Sequence, residues 1–369
     1  MFLNTRFVLC LLFCAEVVFA QSLDRAQAAA DDAVRRLEEA LGGTTAVQTT
    51  RGGTRPLWIN NPYSAYPRDR FLAAVGTAAN RADAEKRAFA ALTAFFGQSI
   101  RTDSVVASTY SEAINNNIIS FSENTYVREI IVTAASMDTL IGAEIGQVWD
   151  DGRGTIYAIA YIELEKAAAV YTELILMNQR NIDNLLAMST AQRNTFDGYA
   201  RYKLASLIAG LNVKYAAIVS LIGGANASFN VTDAGSLLLE ASNIIKNISV
   251  SLNVRGDRNN RVRDAFAGVL SGEGLRTQGN NAPYVLEVSI EMSETAYPGD
   301  DVVFCSYTIS ANLTERATGS VLLPFNVSGR DGQTTYEAAQ TRAFYSMERV
   351  ITERYLVLFR EYLAVLMPQ

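Results

Sequence analysis

This chain of 369 residues contains no histidine, so proton transfer in it would fall to carboxylates. Ser-His-Asp and Cys-His catalysis are excluded, and so are histidine-bearing zinc sites. Three acid pairs have spacings that bear on chemistry. Asp150-Asp151 precedes Gly152 at a hairpin tip, where aspartate is also a normal turn residue. Glu163 and Glu165 could share one strand face, but they fall at a strand-to-helix junction that carboxylates equally cap or solvate. Glu287 and Glu291 alternate with Leu286, Val288, Ile290 and Met292, which predicts a water-facing strand face. A glycosidase needs two carboxyls at a defined separation in a cleft, and spacing along the chain does not supply that.

Thiols and glycines offer less. Cys305 alternates with Val303 and Tyr307, the pattern of a small buried hydrophobe rather than of an activated nucleophile. Gly223-Gly224 and Gly272-Glu273-Gly274 lack the spacing of a phosphate-cradling loop and read as turns. No cofactor and no metal is expected. The most distinctive stretch is aromatic: Trp58, Tyr63 and Tyr66 with Pro62 and Pro67, followed by Arg68-Asp69-Arg70. Two readings stay open. The rings pack over the edge of a sheet beside solvated charges, or Trp58, Tyr63, Tyr66, Arg68 and Arg70 present a partner-binding face. Such rings give large contact area at low entropic cost.

The elements that would position these residues follow a leader. Arg6 gives a positive start, residues 7–15 are apolar, and Val18-Phe19-Ala20 places small residues where a signal peptidase reads them. The mature chain is expected to begin at Gln21, exported to the bacterial periplasm. Cys10 and Cys14 follow Leu9 and Phe13, not the small residue a lipobox needs, so a lipid anchor is disfavoured. Cys305 alone remains after cleavage, too few for an internal disulfide. The sequons at Asn226, Asn230, Asn247, Asn312 and Asn326 are chance occurrences in an Asn-rich bacterial chain. Residues 204–225 are split by Lys214 into two apolar halves, which read as buried core elements rather than a membrane span.

Periodicity then divides the mature chain. Residues 21–55 comprise a helix over 23–41, with Ala26, Ala30, Val34, Leu37 and Leu41 on one face, and a Gly/Thr-rich linker. Residues 56–164 form a first α/β unit. It has a strand over 71–77, a helix over 81–100 with Ala84, Ala88, Ala91, Leu92 and Phe95 as its buried stripe, a helix over 122–135, and a hairpin of 141–149 and 155–164. Residues 165–212 read as an antiparallel helical hairpin broken near Ser189-Thr190. Residues 213–369 form a second α/β unit. Its elements are a helix carrying Leu237, Leu238, Ala241, Ile244 and Ile245, a strand over 248–254, a helix over 261–270, strands over 284–292, 302–313 and 320–328, and one closing helix over 336–366. The expected class is α+β: two sandwich-like units, each a sheet with helices on one face, joined by the helical hairpin. With 49% hydrophobic and 19% charged residues the composition is that of a globular chain. A formal charge of −6 without a Lys/Arg run excludes nucleic acid as a partner.

Pro56-Leu57-Trp58-Ile59, Phe71-Leu72-Ala73-Ala74-Val75-Gly76, the Ala84/Ala88 helix, Leu140-Ile141-Gly142-Ala143-Glu144-Ile145, Trp149 and Tyr157-Ala158-Ile159-Ala160 resemble the LPP-twenty lipoprotein family and the N-terminal domain of the flagellar assembly protein T. The resemblance covers residues 56–164. More weakly, the 262–270 helix, Gly274-Leu275, Tyr284-Val285-Leu286-Glu287-Val288 and Thr318-Gly319 resemble accessory domains of envelope-assembly proteins, such as the curli secretion lipoprotein and the amino-terminal domain of the Tol-system β-propeller protein. These resemblances imply a non-catalytic assembly or scaffolding role, with another envelope protein or the chain itself as partner, near a flagellar motor or peripherally at the outer membrane. A peptidoglycan or glycan binder and a carboxylate hydrolase are the alternatives.

Overall fold

A computed structural model describes residues 47–96, 140–223, 229–277, 279, 281–296 and 302–368. The leader and the helices expected over 23–41 and 122–135 lie outside these residues. The described residues form two compact units, one drawn from residues 47–183 and 207–233 and the other from residues 184–206 and 234–368. The class is α+β, with two four-stranded sheets and no closed barrel among the described residues.

The first sheet is built around small residues. Its strands are β1 (Thr49–Arg51), β2 (Phe71–Ala78), β3 (Ala143–Asp150) and β4 (Ile156–Glu163), in the order β1-β3-β4-β2. β4 is antiparallel to both β2 and β3, and β1 joins β3 in parallel. Between β2 and β3 in the chain, α1 (Arg81–Ala94) starts where Asn80 accepts the N–H of Asp83 through its side chain. It packs on β2 and β4. Ala84, Ala88 and Leu92 are fully buried on it, and a Cβ at Gly76 would collide with the backbone at Ala84 and Ala88. The expected stripe is corrected at its end: Phe95 is 55% exposed and Phe96 takes the buried place. Both faces of β4 are covered, as its alternation predicted. Ala158, Ile159, Ala160 and Ile162 are all fully buried.

The helical stretch breaks where expected. α2 (Leu164–Leu186) is followed by a short α3 (Thr190–Arg193), whose start is a capping box between Ser189 and Gln192. α4 (Phe196–Ile222) runs on past residue 212. The two long helices are antiparallel. Tyr171 meets Tyr215, and Asn178 donates to Asn212 at 2.9 Å, with Asn212 donating in turn to the Ile175 carbonyl. α4 is long and apolar enough to cross a membrane, but 61% of its most apolar 18-residue window is buried within the protein.

The second sheet starts with a βαβ crossover. After α5 (Ala234–Ile245), β5 (Val250–Arg255) leads through α6 (Arg261–Gly272) to β6 (Tyr284–Ala296), and the two strands pair in parallel. β7 (Val303–Glu315) and β8 (Val321–Gln333) add antiparallel, giving the order β5-β6-β7-β8. Of the apolar residues expected on α5, Leu238 is exposed while Leu237, Ala241, Ile244 and Ile245 are buried. Leu286, Val288, Cys305, Ile309, Leu313, Phe325 and Val327 meet Phe266, Met347, Tyr355 and Phe359 in one core.

The closing segment departs from a single helix. α7 (Tyr336–Val350) passes through one π-helical turn, Ile351–Tyr355, into α8 (Leu356–Val365). The cause is visible in the spacing. Ala339, Ala343, Met347, Ile351, Tyr355, Phe359 and Leu363 recur every fourth residue and are all buried. Four residues overshoot an α-helical turn by about 40°, so a strict four-residue stripe winds off one face within a few turns. A wider π turn rotates the chain back and holds the stripe on the sheet.

Candidate functional site

The aromatic loop folds down onto the first sheet. Two 3₁₀ turns, Leu57–Ile59 and Pro62–Ser64, turn it, and the second is capped by the Asn61 side chain. Trp58 is 4% exposed and packs with Ala73, Trp149 and Ile159. Tyr66 stacks on Tyr161 with ring centroids 4.4 Å apart and meets Phe71 edge-on. Tyr161 in turn donates to Glu144 at 2.5 Å. Burial, and then the bonded carboxylate, hold the Tyr161 phenol well above its usual proton affinity, so it stays a donor. Gly146 sits in the β-bulge between Ile145 and Gln147, and a Cβ there would strike the Tyr66 hydroxyl. The indole N–H of Trp149 donates to the Gly52 carbonyl at 3.1 Å, whereas that of Trp58 finds no acceptor among the described residues.

Of the five sequence-selected residues, Trp58 and Tyr66 are therefore turned into the sheet. Tyr63 is half-buried with the Arg68 guanidinium 5.5 Å from its ring. Arg68 and Arg70 are exposed, and Arg70 pairs with Glu163 at 3.2 Å. The loop thus leaves Arg68, Arg70 and Leu57, itself 80% exposed, toward water.

The acids are committed to structure. Asp151 accepts the backbone N–H groups of Arg153 at 2.7 Å and Thr155 at 2.9 Å. Those bonds hold its carboxyl below the usual aspartate range, the Thr155 bond first, which is the wrong direction for a general acid. Asp150 accepts from Gly152 and pairs with Arg51 at 3.3 Å. Glu165 lies in the first turn of α2, where a carboxylate complements the helix dipole. Glu287 and Glu291 stand on the open face of β6, as their alternation predicted. That face continues across the sheet in rows, Ser289 beside Ser310 and Asn326, and Glu291 beside Thr308 and Ser328. Cys305 is fully buried, and burial raises its thiol pKa. Among the described residues no cluster of three or more Cys, Asp or Glu could hold a metal ion.

One ionisable group escaped sequence reasoning. Lys203 on α4 is 7% exposed and donates to the carbonyls of Leu363 and Ala364, at 2.9 and 2.8 Å, capping the end of α8. Burial pushes its pKa down to about 8. A lysine inside an apolar helix was the available signal, but its partner lies 160 residues away in the chain.

No family model matches the chain, and no curated protein matches it. Among solved structures, a minor lipoprotein from Acinetobacter baumannii aligns at 17% identity over 31% of this chain and 90% of its own, with a TM-score of 0.24. The secreted protein HP1454 from Helicobacter pylori aligns at 12% identity over 77% of this chain and 98% of its own, with a TM-score of 0.37. Rare lipoprotein B from Shewanella oneidensis aligns at 15% identity over 30% and 91%, with a TM-score of 0.21. TM-scores this low assign the chain to no family.

Proposed function

We propose that this chain is a non-catalytic bacterial envelope protein, exported to the periplasm, that binds another envelope protein or copies of itself in an assembly or scaffolding role. The observation that carries this reading is the commitment of its acids. Asp150, Asp151 and Glu163, the acids placed best for chemistry in the sequence, are held by turn N–H groups or by arginines. A catalytic carboxylate is instead set in a cleft beside a group that tunes it toward its task. The leader read in the sequence supports export, and the sequence resemblance of residues 56–164 is what motivates a location near a flagellar motor or the outer membrane within this proposal. The test is to tag the C-terminus, crosslink whole cells and identify what co-purifies from the envelope fraction. Recovery of basal-body or outer-membrane ring components supports assembly. Recovery of the chain only as an uncrosslinked monomer overturns it, and recovery with cell-wall fragments only overturns it in favour of a glycan binder.

A further inference from the structure

The second sheet ends in a long strand whose outer side pairs with nothing among the described residues. β8 has 13 residues and stands last in the order β5-β6-β7-β8. An unpaired edge of this length presents a ladder of backbone donors and acceptors that proteins ordinarily blunt or cover. Pro324 fixes which groups face outward. A proline is accommodated in a strand where its missing N–H points away from the neighbouring strand, so the backbone groups of Asn326 and Ser328, at the same parity, also point away from β7.

Beside this edge lies a groove of about 480 Å³. One wall is Pro324, Phe325 and Asn326. The other is the closing helix, with Val357 and Leu358 at its centre and Glu353 and Glu361 toward its ends. Val357 is 53% exposed. Neither Glu353 nor Glu361 has a basic partner among the described residues, and Arg354 leaves the wall net acidic. The two glutamates are eight residues apart, roughly 12 Å along the helix. In an extended chain, residues i and i+4 share a face and are separated by roughly 13 Å.

We propose that this edge docks an extended peptide segment of another protein, with an apolar side chain between two basic ones in the pattern basic-x-apolar-x-basic. The segment adds beside β8 as a fifth strand. Its backbone pairs with Asn326 and Ser328, its apolar side chain covers Val357 and Leu358, and its basic side chains reach Glu353 and Glu361. Strand addition of this kind takes affinity from the main chain and specificity from alternate side chains. The inference deepens the proposed assembly role and rests on it. Crosslinking in cells can succeed where this mode fails, so the two readings fail separately.

The test uses the mature chain and a labelled, end-capped Lys-Thr-Val-Thr-Lys peptide in fluorescence anisotropy. Saturable binding is expected. It should weaken at least tenfold in Ser328→Pro, which removes an outward donor and leaves the β7 ladder intact, and in the double variant Glu353→Lys/Glu361→Lys. A Glu-Thr-Val-Thr-Glu peptide should bind the charge-reversed protein better than the original. Circular dichroism confirms folding, and the charge-swap arm stands even if the proline variant does not fold. Absence of saturable binding, or equal binding by all three proteins, overturns the proposal. Self-association abolished by Ser328→Pro would also overturn it, by assigning the edge to a second copy of this chain.

Discussion

Tyr355 carries a hydroxyl into the second core without finding a partner among the described residues, while Lys203 brings an ammonium group to two waiting carbonyls. A buried hydroxyl with no bond forfeits its hydration, so Tyr355→Phe is expected to raise stability by about 1 kcal/mol. A loss of that size in a urea titration would mean that the hydroxyl is bonded after all. Lys203 titrates at about 8 in the folded chain, against 10.5 for an ordinary lysine. The unfolded chain therefore holds more protons between those values, and stability gained from this residue rises with pH across that window and is lost as pH falls toward 8. Relative to Lys203→Met, the protein should gain about 2 kcal/mol between pH 7 and pH 9.5. Using the difference cancels the buried tyrosines, whose raised pKa values act in the opposite direction above pH 10. A flat difference would show that Lys203 is solvated. Neither role was legible in the sequence, where Lys203 showed only as a lysine inside an apolar helix, because a buried hydroxyl's lack of a bond and capping across the chain exist only once the fold is made.

At the scale of elements, patterns that depend on local periodicity were legible and those that depend on a neighbour were not. Alternation in β4 and β6 gave the right faces, and Asp150-Asp151-Gly152 gave the right turn. The alanine stripe of α1 was legible, the part of Gly76 in seating it was not, and Gly76→Val should cost about 3 kcal/mol or more by forcing helix and sheet apart. A midpoint unchanged in denaturant would refute that contact. In contrast, the bulge at Gly146 exists to seat Tyr66, which comes from a loop far away in the chain. The π turn belongs to both classes. Its cause, a four-residue apolar repeat, is written in the sequence, but a long apolar-striped helix is the simpler reading until the sheet beneath it is known.

Across the whole molecule, Cys305, the single cysteine beyond residue 14, is a probe of the second core. Cys305 should be inert to Ellman's reagent in the native state and should react at the rate of global unfolding, because its side chain is fully buried in that core. Rapid labelling of the native protein would place Cys305 in a locally opening region instead. The candidate site was legible only in part. The aromatic loop stood out by composition, yet its largest rings serve the sheet, while the β8 edge groove is made by elements more than twenty residues apart in sequence and has no motif. The burial of Lys214 in α4 has a consequence before folding begins. A chain threaded unfolded through a translocation channel offers each apolar segment to the surrounding lipid in turn. A lysine near the middle of such a segment opposes lateral exit by about 2.5–3.5 kcal/mol. On the export proposed above, the Lys214 charge lets α4 pass through as cargo instead of stopping as an anchor. Lys214→Leu is therefore expected to leave the chain in carbonate-resistant membranes, and its recovery in the soluble fraction would show that the lysine serves the folded state alone.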